Sequence, residues 1–149
     1  MEEKLGIEVP GGCGPRALQL IYAKFGIRTN QFVLANEMGT TAQEGTPIEE
    51  IKRNINRHDL KYLEFTQSSW ELLKDLSKAV ERPIIVNWTD EDEEGHFSVV
   101  HRVTDQFVYL LGEGGLTRGQ FVSRWHDSAK GKEYNHWMLC VYRPERIKM

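Results

Sequence analysis

Apolar residues recur at helical spacing through the first half of the chain and gather into short, nearly unbroken runs in the second. Residues 14 to 25 place Ala17, Leu18, Leu20, Ile21, Ala23 and Phe25 three or four apart. Pro15 suits the first turn of that helix and Gly26 stops it. Gln31 to Met38 predicts a second, shorter helix ended by Gly39. Thr46, Pro47 and Glu49 predict a helix start, with the Thr46 hydroxyl as cap and Pro47 at the first helical position; Ile48, Ile51 and Ile55 then share one face. Ser69 opens a fourth helix whose apolar face holds Leu72, Leu73, Leu76 and Val80.

After residue 82 the pattern becomes one of strands. Pro83 to Trp88, His96 to Val103, Phe107 to Leu111 and Trp137 to Tyr142 are short and rich in β-branched or aromatic residues. Thr104-Asp105-Gln106 supplies a turn between the second and third, and Gln120 to Trp125 reads as one or two helical turns. Helices first and an antiparallel sheet second predict an α+β fold. With no repeat and no low-complexity linker, residues 1–149 are expected to form a single domain.

Composition narrows the function classes. The chain has 149 residues, 40% apolar and 28% charged, which is ordinary for a globular protein. A net charge of -3 and a pI near 6.0, with Lys and Arg scattered, argue against nucleic acid as a partner. No apolar run is long enough to span a bilayer and no secretory signal is evident, so a cytoplasmic location is expected. The two cysteines are too few for a disulfide framework and fit a reducing compartment.

Those cysteines stand in different settings. Cys13 lies in Gly11-Gly12-Cys13-Gly14-Pro15, directly before the first helix. The glycines let the backbone approach a substrate closely, while a helix N-terminus favours a thiolate and offers N–H groups to an oxyanion. The same residue also fits a small buried hydrophobe in a turn. Cys140 sits in the apolar run Trp137 to Tyr142 and reads as core packing. A thiolate nucleophile needs a proton acceptor, and histidine is the usual one. Of five histidines, His96 opens a strand, where a side chain can face a cleft; His101, at an odd offset along that strand, points to the other face. His58, His126 and His136 lie in polar, loop-like surroundings.

The acidic run Asp90 to Glu94 stands just before His96. It reads as a solvated loop, or as carboxylates that raise the histidine pKa or attract a basic peptide. Its spacing matches no calcium loop, and neither a metal nor a cofactor is expected. Trp70, Trp88, Trp125 and Trp137 are expected in or beside the core, with Trp88 a candidate groove residue.

Cys13-Gly14-Pro15-Arg16-Ala17-Leu18 before a helix resembles the nucleophile motif of the bacteriocin-processing cysteine peptidases that cut after double-glycine leaders. Gly95-His96-Phe97-Ser98-Val99-Val100 resembles their histidine motif. Gly45-Thr46-Pro47, Pro83 to Val86, Phe107 to Leu111 and Phe121 to Trp125 follow the family in the same order. The resemblance therefore covers nearly the whole chain. It implies a papain-like fold, a helical half carrying Cys13 and an antiparallel sheet carrying His96.

Two departures accompany it. The family's Asp after the histidine strand falls at Gly112, with Glu113 next, so Glu113 becomes the candidate to orient the imidazole. The family's oxyanion-donating Gln falls at Ile7, which has no donor. The resemblance implies a stand-alone cysteine peptidase or amidase with Cys13 as nucleophile, His96 as base and Glu113 as orienting group. Its substrate would be a peptide or protein, and any transporter partner would be a separate chain. Two alternatives stay open: a domain that binds a peptide or leader segment without cleaving it, and acyl transfer to an amine or thiol acceptor.

Overall fold

The computed structural model describes residues 12–144. α1 (Cys13–Lys24), α2 (Gln31–Met38) and α3 (Ile48–Arg57) come first, followed by β1 (Lys61–Phe65) and α4 (Trp70–Leu76). β2 (Ile84–Thr89), β3 (Gly95–Val103), β4 (Phe107–Leu110), β5 (Gly114–Thr117), α5 (Arg118–Arg124) and β6 (Met138–Tyr142) complete the chain. A 3-10 turn spans Lys132–Tyr134. The six strands form one sheet in the order β1-β6-β2-β3-β4-β5, and every neighbouring pair is antiparallel.

The predicted α+β class and its layout hold, with local corrections. α1 gains Cys13 as its first residue, with Gly12 as the flanking cap. At α3 the flanking position belongs to Pro47, not Thr46, whose hydroxyl turns to the Thr40 hydroxyl at 2.8 Å. Ser69 caps α4 as expected by accepting from the Leu72 N–H at 3.0 Å, but the helix stops at Leu76 and leaves Val80 84% exposed. β1 and β5 are the strands that the pattern did not announce. β1 alternates too weakly to show a buried face, and β5 begins with two glycines.

The sheet is covered on both faces, which explains the continuous apolar runs of β2 and β6. Ile85, Phe97, Val99, Leu139 and Val141 pack beneath α1, α2 and α3 with Leu18, Ile21 and Ile51. Ile84, Val86, Trp88, Val100, Met138 and Cys140 point the other way, against Trp70 and Leu73 of α4 and Phe121 of α5. All four tryptophans lie in these two cores, each at most 5% exposed. Trp88 is thereby a core residue, its ring N–H donated to the Ser98 hydroxyl at 2.9 Å, and not part of a groove.

Candidate functional site

Cys13 stands at the head of α1 over the α1 face of the sheet, packed against the core that contains Phe97 and Val99. A cleft of about 420 Å³ opens beside it, walled by Thr46, Gly95, Phe97, Asp127 and Lys130. Close packing on one side depends on Gly14. A Cβ there would stand 2.6 Å from the Thr46 hydroxyl oxygen, nearer than any real side chain tolerates. Thr46 is fully buried and belongs to the segment after α2, which Thr41 and Gly45 pin by a pair of backbone hydrogen bonds of 3.1 and 2.8 Å. Gly95 plays a similar part opposite, since a Cβ at that position would meet the Asp127 carboxylate at 2.1 Å.

Burial pushes the Cys13 thiol above its ordinary value. The backbone N–H groups of Phe97, Gly14 and Cys13 itself pull in the other direction, as does the charge of Lys130. The helix-terminal effect expected from the sequence is present, but burial outweighs it. Cys140 is 1% exposed and its thiol is pushed up to about 11 by burial, in keeping with a core role.

His96 lies elsewhere. Phe97 and Val99 of β3 face α1, so by strand alternation His96 and Ser98 face the opposite core with Val100. The His96 ring packs on Trp88 at 5.2 Å between centroids, and its Nε2 meets Asp90 Oδ2 at 2.5 Å. The hydrogen bond to His96 holds the Asp90 carboxyl below the usual carboxylate range, helped by the Glu94 and Asp92 N–H groups. The structure thus places His96 on the face of β3 away from Cys13, and the expectation that its side chain faces the cleft is corrected. His101 lies at the irregularity in β3 between Val100 and Arg102, beside Lys24 at the far end of α1.

Glu113 is found on the Cys13 side of the sheet. It shares a second groove, of about 360 Å³, with Cys13, Arg16, Phe97 and Gly112. Ile7, at the place of the missing oxyanion donor, falls outside the described residues. Of the three histidines in polar, loop-like stretches of sequence, two are packed: His58 lies against Tyr22 and His136 stacks flat on Trp125 at 4.8 Å.

Sequence reasoning missed three residues of the cleft: Thr46 as a wall, Asp127 and Lys130. Asp127 Oδ2 receives a hydrogen bond from the buried Asn87 amide at 3.4 Å. Lys130 Nζ donates to the Thr46 carbonyl at 2.8 Å and lies 5.6 Å above the Phe97 ring. Both come from the loop after α5, and no motif marks them. Among the described residues, the one group whose atoms converge as metal ligands do is Asp90, Glu94 and His96, within 4.8 Å of one another. There the imidazole is already bonded to Asp90, and the Arg124 guanidinium donates to the Asp90 carbonyl at 2.7 Å.

Among the described residues, no helix is long and apolar enough to cross a membrane. Structural comparison finds the same fold in peptidase domains. The peptidase domain of Streptococcus ComA, a bi-functional ABC transporter involved in a quorum sensing pathway, matches with a TM-score of 0.70 and 13% identity over 93% of this chain and 96% of that one. A C39-like peptidase from Bacillus anthracis matches at 0.69 and 16% identity, over 95% and 93%. A double glycine motif protease from an AMS/PCAT transporter, solved with the leader peptide, matches at 0.63 and 15% identity, over 91% and 85%. No curated protein sequence matches the chain. The family model for the Peptidase C39 family matches residues 10–127, most of the chain and the whole of the Cys13 cleft up to Asp127, and the chain belongs to that family.

Proposed function

We propose that the chain is a cysteine peptidase or amidase whose nucleophile is Cys13. One observation carries the reading: Cys13 heads α1 and borders an open cleft of about 420 Å³, where the backbone N–H groups of Phe97 and Gly14 work against the burial that raises its thiol. These are the groups that favour a thiolate and then hold the oxyanion of a tetrahedral intermediate. The sulfur attacks the carbonyl carbon of a peptide or amide, the amine leaves with a proton, and water releases the acyl group.

His96 is proposed as the base, and this role requires movement. A shift of one position in the first residues of β3 exchanges its two faces and carries His96 into the place of Phe97. Phe97 borders both the Cys13 cleft and the groove that holds Glu113. An imidazole there has the thiol on one side and the Glu113 carboxylate on the other. By likeness to the transporter peptidase domains named above, the substrate is a leader-bearing peptide and the partner a transporter.

A second reading is favoured by the bond between His96 and Asp90, which leaves Cys13 without an imidazole. In that reading the domain binds a peptide and does not cut it. Binding and cleavage of a panel of leader-type peptides by the native protein, Cys13→Ala and His96→Ala separate the two. Cleavage lost in both variants with binding retained supports the peptidase. Saturable binding without cleavage by the native protein supports the binding domain. Absence of both overturns both.

A further inference from the structure

The cleft contains a cation that the proposed chemistry does not yet use. Lys130 reaches from the loop after α5 to the segment between α2 and α3, where Nζ donates to the Thr46 carbonyl at 2.8 Å and to the Glu44 carbonyl at 3.5 Å. Thr46 in turn packs on the bare Cα of Gly14, next to Cys13. Its hydroxyl is tied to Thr40 at 2.8 Å. The ammonium also lies over the face of Phe97, the residue whose N–H serves the sulfur.

Resting on the reading of Cys13 as nucleophile, we propose that Lys130 is a positioning residue for it. Lys130 clamps the Thr46 wall of the cleft against Gly14 and supplies the positive charge that favours the Cys13 thiolate while His96 is held on the far face. The other ionisable groups facing Cys13 are Arg16 on its own helix, Glu44 beside Thr46, Glu94 and Asp127 across the cleft, and Glu113 in the adjoining groove. Against the burial that raises the Cys13 thiol, the positive charge of Lys130 favours the thiolate. Its charge lowers the Cys13 pKa in agreement with this role.

The test is the pH dependence of iodoacetamide alkylation of Cys13, followed by intact mass, in the native protein, Lys130→Met and Lys130→Arg. Lys130→Met is expected to move the rate midpoint upward by about half a pH unit or more, and Lys130→Arg to recover most of the shift. Lack of Cys140 labelling in the same samples verifies the fold. Should Lys130→Met unfold, Lys130→Gln, which keeps a donor for the Thr46 carbonyl but no charge, takes its place in the same comparison. An unchanged midpoint in the folded variant that lacks the charge overturns the proposal. Alkylation needs no turnover, so a domain that never cleaves peptides can still show the shift.

Discussion

His96 Nε2 and Asp90 Oδ2 are joined at 2.5 Å across the turn between β2 and β3, on the face of the sheet that α1 does not cover. His96 is thereby held on the side of the sheet opposite the Cys13 thiol. The hydrogen bond to His96 keeps the Asp90 carboxyl below its unfolded value, and the sign of the linkage follows. A depressed carboxylate stabilises the folded state above the unfolded pKa of about 3.9, and the contribution is lost as pH falls through the lower, folded value. Asp90→Asn is expected to lower the urea midpoint at pH 6, with the difference from the native protein vanishing as the pH falls through the lowered value of the carboxyl. Equal midpoints at pH 6 would show that the bond does not persist in solution.

Thiol reactivity reports on both cysteines. Burial raises each of them, yet only Cys13 borders open clefts. Iodoacetamide is expected to label Cys13 well before Cys140 in the native protein, with a Cys13 rate midpoint at or above the free-thiol value of about 8.5. A midpoint well below that value would mean that an imidazole reaches the sulfur in the resting protein.

The same assay measures which face of β3 meets Cys13. With His96 bonded to Asp90, His96→Ala should leave the alkylation profile of the resting protein unchanged, and so should His101→Ala beside Lys24. If His96→Ala alone shifts the profile upward, the strand already populates the register that brings the imidazole to the thiol.

Gly14 is where the helix and the cleft wall meet most closely. Gly14→Ala forces a Cβ against the buried Thr46 side chain and is expected to cost about 1–3 kcal/mol in chemical denaturation, as overpacking does. Combining it with Thr46→Gly, which removes the opposing hydroxyl, Cβ and methyl, should recover part of that loss. No recovery in the double variant would show that the contact is not the cause.

The parts of the fold that were legible from the sequence are those with local signals. α1, α2 and α3 follow from apolar spacing with Gly26 and Gly39 at their ends, and Cys140 follows from its apolar run. The face of His96 was not legible, for a physical reason. β3 is covered on both sides, so Phe97, Ser98, Val99 and Val100 are all buried and carry no alternation that says which pair meets α1. Thr46, Asp127 and Lys130 meet Cys13 only through the topology, from loops far away in the chain. The reach of α4 was overread because Val80 continues the apolar spacing beyond the helix end.

The central claim is that Cys13 is the reacting group of a peptidase-type site. Intact-mass spectrometry of the native protein after brief exposure to an activated peptidyl ester tests it most directly, because a good leaving group removes the need for a proton donor. A single acyl adduct located on Cys13, absent in Cys13→Ala and discharged by water over time, is the predicted result. A native protein that stays unmodified, or an adduct that persists in Cys13→Ala, would contradict it.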